Sequence, residues 1–180
     1  MIRLFIAIDI PESVKQEIAR LCCGLPGARW VQPEQLHLTL RFIGEVDGGM
    51  FRDIRAGLSE IVVAPFSLQL DGVGFFPPRG RPRVVWVGLR QSNELQRLRN
   101  RLESCLVGLG LEAEKRKFAP HITLARLKNT PPARVGRFLE NHNLFLSFPF
   151  SVDEFFLYSS RLGKRGAVHR VEAAYPLRAA

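Results

Sequence analysis

The chain is short of the residues that build disulfide frameworks and metal cages. It has three cysteines, Cys22, Cys23 and Cys105, an odd number with two adjacent and no Cys-x-x-Cys spacing. That set excludes a disulfide scaffold and fits a reducing compartment, so a cytoplasmic location is expected. Cys105 falls inside a Leu-rich helical pattern, where a thiol serves as a small core residue. Histidine is scarce, four in all, and threonine scarcer still, three. Carboxylates do not cluster around any histidine, and His142 and His169 stand at no ligand spacing, so neither a metal nor another cofactor is expected. Long apolar runs are missing too: no window holds the roughly 18 consecutive apolar residues of a membrane span. The opening "MIRLFIAIDIPE" is broken by Asp9 and Pro11 with no small-residue cleavage site after it, which makes it a strand rather than a signal peptide. Acidic residues are outnumbered, 17 against 26 basic, giving a net charge of +9 and a pI near 10.3. A surplus of that sign favours polyanionic partners such as RNA. Its dense stretches are Arg79, Arg81 and Arg83 in "FFPPRGRPRVVW" and the segment from Arg161 to Arg170.

The few histidines and threonines are not scattered. His37 and Thr39 stand in "LHLTLRF", and His121 and Thr123 in "PHITLAR", so the phrase His-x-Thr-Leu occurs twice. Both copies sit in apolar runs that read as strands, and residues two apart on a strand share a face. Each copy therefore offers an imidazole beside a hydroxyl on a rigid element. Two imidazoles suit acid–base work near neutrality, one taking a proton from water while the other gives one to a leaving oxygen. Hydroxyls beside them can hold non-bridging phosphate oxygens. Strict alternation places Arg41, four residues after His37, on the face of His37 and Thr39, making it a weak phosphate candidate. Arg126, five residues after His121, falls on the opposite face unless a bulge re-aims it. Phe5, Trp30, Phe42, Phe75 and Phe76 are candidates to stack on a base.

Around the motifs, the apolar periodicity predicts an opening strand through Ile10 and a helix from Pro11 carrying Val14, Ile18, Leu21 and Cys22, stopped by Gly24. The first motif strand spans 36–43 and is followed by a helix over about 49–63. A strand near 66–73, a Gly/Pro/Arg loop and a strand at 84–89 come next. Ser92 or Asn93 can cap a helix with Leu95, Leu98, Leu102, Cys105 and Leu109 as its stripe. The second motif strand spans about 120–127. Thr130 and Pro131 open a short helix with Val135, Phe138 and Leu139, and strands near 148–158 and 168–177 close the chain. Consecutive strands on short loops argue for an α+β fold with largely antiparallel sheets. Both motifs lie in the same order of elements, which predicts one bilobal domain over 1–180, its halves related by a pseudo-twofold and facing a central cleft.

With these residues in view, the chain resembles the two-histidine phosphoesterase superfamily, and within it the bacterial and archaeal RNA 2',3'-cyclic phosphodiesterases, also called 2'-5' RNA ligase-like proteins. The resemblance runs through "RLFIAIDIPE", "VQPEQLHLTLRFIGEV", "RPRVVWVGL", "FAPHITLARLK" and "FSVDEFFLYSSRLGKRG" to the closing "YPL". It implies metal-independent hydrolysis of a terminal ribose 2',3'-cyclic phosphate to a 2'-phosphate, on RNA ends or cyclic nucleotides, with 2'-5' RNA ligation as the reverse type of reaction. It further implies His37 as proton donor, His121 as proton acceptor, and Thr39, Thr123 and Arg126 on the phosphate. A monomer without membrane attachment is expected. The alternative is an RNA- or nucleotide-binding module with little catalysis. One departure stands out: relatives often carry Tyr where this chain has His169 in "GAVHRV".

Overall fold

In the computed structural model, which describes residues 1–163 and 166–179, the elements run β1 (Ile2–Asp9), α1 (Glu12–Ala19), β2 (Ala28–Trp30), β3 (His37–Val46), α2 (Gly48–Ser59), β4 (Phe66–Leu68), β5 (Leu70–Phe76), β6 (Val84–Leu89), α3 (Asn93–Gly108), β7 (Ile122–Leu127), α4 (Pro132–His142), β8 (Phe150–Val152), β9 (Glu154–Gly163) and β10 (Gly166–Pro176). Leu4 to Ile8 are buried on both faces of β1, as the unbroken apolar run requires of an interior strand. It lies between β9 and β3 in a sheet ordered β10-β9-β1-β3. A second sheet is ordered β2-β7-β6-β5, and β4 and β8 form a short ladder of their own. All pairings between these strands are antiparallel, so the expected α+β class holds.

Helix starts follow local chemistry. The Asp47 carboxylate accepts from the Met50 amide and the Ser92 hydroxyl from the Leu95 amide, satisfying amides that α2 and α3 leave unpaired. Leu95, Leu98, Leu102 and Leu106 form the buried stripe of α3, with Cys105 half-buried beside it. Residues from both sheets and all of these helices join in one continuous apolar cluster, including Ile6, Ile18, Ile54, Val87, Leu98, Leu124 and Phe138.

Three expectations change. The strands foreseen over 66–73 and 148–158 are each two strands, because β4 and β8 peel away to pair with one another while β5 and β9 enter different sheets. Thr130 does not cap α4; its hydroxyl, buried, donates to the Pro26 carbonyl at 2.8 Å. That bond anchors the turn before β2, an element too short to leave a periodic signal. Gly27 in this turn has φ +74° and would set a Cβ 2.3 Å from the Lys128 carbonyl oxygen, so only glycine fits.

Apart from the short β2 between α1 and β3, the order strand, helix, motif strand, helix, short strand, long strand occurs twice, as β1-α1-β3-α2-β4-β5 and β6-α3-β7-α4-β8-β9. The strand closing each run pairs with the strand opening the other: β5 with β6, and β9 with β1. This exchange joins the two runs through both four-stranded sheets. It also brings β3 and β7, the two motif strands, against each other.

Candidate active site

Leu38 and Leu40 in β3, and Ile122 and Leu124 at the start of β7, are buried in the core. Alternation then turns His37, Thr39, His121 and Thr123 the other way. These four side chains, together with Arg126, line one cleft of about 660 Å³ between the two sheets. Phe5, Gln35, Phe42, Arg29, Trp30 and His169 share its lining. Of the aromatic candidates, Phe5, Phe42 and Trp30 reach the cleft. Phe42 is 57% exposed, while Phe5 is buried as its floor.

The two motif histidines are held alike. Nδ1 of His37 lies 2.7 Å from the Gln35 carbonyl oxygen, and Nδ1 of His121 lies 2.7 Å from that of Ala119, in each case two residues upstream. A carbonyl can only accept, so each Nδ1 carries the proton and each neutral ring has Nε2 bare. Aromatic rings support both imidazoles. His37 packs on Phe5 at 5.1 Å between centroids, and Phe5 stacks in turn on Tyr158. His121 meets the edge of Phe76 at 4.9 Å, with Trp86 behind. The indole can lie there because its neighbour on β5 is Gly74, where a Cβ would fall 2.3 Å from the ring. Burial is the main force on the titration of His37 and holds it down to about 4. The Gln35 carbonyl and Asp9 oppose this, and His169 and His121 add to it.

Both motif strands carry a bulge directly after the threonine. In β3, Thr39 pairs with Ala7 and Arg41 with Ile6, leaving Leu40 as the extra residue. In β7, Thr123 pairs with Trp86 and Ala125 with Val85, leaving Leu124 extra. A bulge inverts the facing of the residues beyond it. It turns Arg126 into the cleft, against simple alternation, and it turns Arg41 out.

Arg41 is therefore a correction: it is no phosphate candidate. Its Nε donates to Glu103 at 2.8 Å, and its other nitrogens donate to the carbonyls of Phe42 and Glu112. Glu103 also pairs with Arg99 at 3.2 Å and accepts from the Glu114 amide at 2.7 Å. This cluster ties β3 to α3 and to the segment leading into His121. The position that faces the cleft in place of Arg41 is Phe42, which stands five residues after His37 as Arg126 stands five after His121.

Several cleft residues left no sequence signal as site residues. Gln35 matters through its carbonyl, which any residue could supply, and Arg29 enters through β2, where it pairs in register with Arg126. Trp86 supports His121 from behind, and Phe76, expected to stack on a base, packs against that imidazole instead of lining the cleft. Among the described residues, no group of three or more His, Cys, Asp or Glu gathers as metal ligands would, and no helix is long and apolar enough to cross a membrane.

Comparison with known proteins places the cleft in context. The family model of the 2'-5' RNA ligase superfamily matches residues 10–164. A protein of Archaeoglobus fulgidus named RNA 2',3'-cyclic phosphodiesterase is 34% identical, covering 93% of this chain and 96% of the relative. One of the same name from Thermotoga maritima is 36% identical over 94% of this chain and 92% of its own length. Among solved structures, one from Thermus thermophilus aligns with a TM-score of 0.84 at 30% identity, over 98% of both chains. E. coli LigT complexed with 3'-AMP aligns with a TM-score of 0.79 at 30% identity, again over 98% of both.

Proposed function

Because this chain belongs to the 2'-5' RNA ligase superfamily, we propose that its cleft hydrolyses a ribose 2',3'-cyclic phosphate, at an RNA end or in a cyclic nucleotide, to a 2'-phosphate. The observation that carries this reading is the matched pair of imidazoles, each with Nδ1 committed to a carbonyl, each beside a threonine in one cleft. His121 Nε2 takes a proton from water as its oxygen bonds to phosphorus. The bond from phosphorus to the 3'-oxygen breaks, and His37 gives that oxygen its proton. The products are a 2'-phosphomonoester and a 3'-hydroxyl, and the two rings exchange protons with solvent before the next turnover. Thr39, Thr123 and Arg126 hold the non-bridging oxygens as charge builds on them. Acid, base and anion holders all come from the chain, so the step as written uses no metal. When a 5'-hydroxyl replaces water, the same transfers produce a 2'-5' linkage.

Incubation with a 2',3'-cyclic mononucleotide in excess chelator tests the proposal. Full turnover yielding the 2'-phosphate is expected. His121→Ala should lower kcat by about 10²–10⁴ while substrate still binds. A 3'-phosphate product would reverse the assignment of the leaving oxygen, and undiminished turnover in His121→Ala would remove His121 as the base. Native protein that binds the nucleotide without turnover would be a nucleotide-binding module.

A further inference from the structure

The cleft holds a third imidazole. His169 comes from β10, where it pairs with Ser160, and its ring meets Phe5 edge-on at 4.9 Å and His37 edge-on at 5.4 Å. The strand that carries it is bonded to the residue that also anchors His37. The side-chain amide of Gln35 donates to the Ala167 carbonyl at 3.0 Å, while the Gln35 backbone carbonyl accepts from His37 Nδ1–H. One residue therefore bonds both the His37 ring and the strand that carries His169.

His169 differs from the motif histidines in one respect. Its Nδ1 is buried with no hydrogen-bond partner among the described residues. A proton placed there would be an orphaned, desolvated donor, which folded proteins avoid more strictly than a bare acceptor. The favoured neutral ring therefore keeps Nδ1 bare and carries its proton on Nε2, the opposite tautomer to that of His37 and His121. Double protonation would orphan the same Nδ1–H, so the ring also resists becoming a cation, the direction in which burial pushes it. The cleft thus combines two rings with bare Nε2 and one whose Nε2 is a donor.

We propose that His169 binds the phosphate of the substrate, donating Nε2–H to an anionic oxygen beside His37. The inference rests on the cleft being the phosphodiester site described above. It makes His169 a residue for holding the anion, separate from the proton transfers of His37 and His121.

The test uses His169→Phe, which keeps an aromatic ring against Phe5 but has no donor, and His169→Gln, which returns a neutral N–H. Competitive inhibition by inorganic phosphate and the KM and kcat for a 2',3'-cyclic nucleotide are measured in both. In His169→Phe the phosphate inhibition constant and KM should each rise about tenfold or more, with kcat changed far less, and His169→Gln should recover most of the loss. Equal impairment of both variants, or unchanged phosphate inhibition in His169→Phe, would overturn the inference. Long-range ¹H–¹⁵N spectra of the native protein give a reading that needs no variant: the proton on Nε2 of His169 supports it, and a proton on Nδ1 sinks it. Failure of the phosphodiesterase reading looks different, since it would be native protein without turnover. Calorimetric binding of inorganic phosphate to the native protein and His169→Phe would still decide this contact.

Discussion

A histidine that titrates near 4 is neutral at pH 7, yet the proposed role of His37 is to give up a proton. The conflict concerns the protein without substrate. Burial disfavours the imidazolium because the Gln35 carbonyl and Asp9 compensate only in part for lost water, and a bound phosphodiester supplies further negative charge in contact with the ring. Substrate should therefore bring the proton of His37 with it. Side-chain NMR titration of the free protein should find His37 near 4, and addition of a nucleoside 2'-phosphate should move it upward by at least about one unit, an opposite charge in contact commonly giving 1–3. A titration that does not move upward in that complex would transfer the donor role to His121. The same burial has a signature in stability. The unfolded chain protonates this histidine below about 6.5 while the folded protein refuses the proton down to about 4. Stability is therefore complete above pH 6.5 and falls as pH drops toward 4, by about 3 kcal/mol from this group alone. Urea unfolding of the native protein and His37→Gln across that window should show the native slope flattened in the variant.

At the scale of elements, the bulges after Thr39 and Thr123 separate what could be read in the sequence from what could not. Both His-Thr pairs were legible, because buried Leu and Ile between them fix the facing of residues two apart. The opening strand, α3 with its serine cap, and the antiparallel class were legible for the same reason, being set by local periodicity. The facing of Arg41 and Arg126 was not legible in their spacing, and only the family resemblance pointed to Arg126. A bulge depends on how a strand pairs with its neighbour, and no composition marks Leu40 or Leu124 as the residue to be squeezed out of register. Nor do three-residue strands such as β2 and β4 leave any period to detect. The exchange of facing has opposite consequences for the two arginines. Arg41 sits 10% exposed against Glu103 at 15%, so Arg41→Ala strips a nearly buried carboxylate of a partner and should destabilise the fold by about 2–3 kcal/mol. Arg99 still faces Glu103, which keeps the loss below that of a wholly unpaired charge. Arg126→Ala should leave the melting temperature nearly unchanged and raise the inhibition constant of inorganic phosphate about tenfold or more, as expected for a lost charge-assisted contact. Thermal unfolding and phosphate inhibition on both variants should give these crossed results; a phosphate effect confined to Arg41→Ala would reverse the assignment.

The whole molecule carries its positive charge beside the cleft as well as in it. The loop with Arg79, Arg81 and Arg83 leads into β6, whose first residue, Val84, pairs with Arg126. Arg81 donates to Asn129 at 3.3 Å, holding the loop at that end of β7. On the other sheet Arg161 and Arg170 are exposed, while Lys164 and Arg165 of the same run lie outside the described residues. This arrangement suits an RNA strand whose terminal phosphate occupies the cleft and whose preceding phosphates pass over the basic rim. Each phosphate neutralised on a single strand adds about 0.7 to the slope of log affinity against log salt. A cyclic mononucleotide can engage only the cleft, so its kcat/KM should decline gently with salt. An oligonucleotide ending in the same cyclic phosphate should decline more steeply, by about 0.7 for each further phosphate bound. Replacing Arg79, Arg81 and Arg83 together by Ala should flatten the oligonucleotide's slope and leave the mononucleotide's untouched. If both substrates show one slope in the native protein, the rim contributes nothing and the enzyme reads the terminal nucleotide alone. If the slopes differ but the triple variant keeps the difference, the strand leaves the cleft over the sheet of β9 and β10, where Arg161 and Arg170 lie.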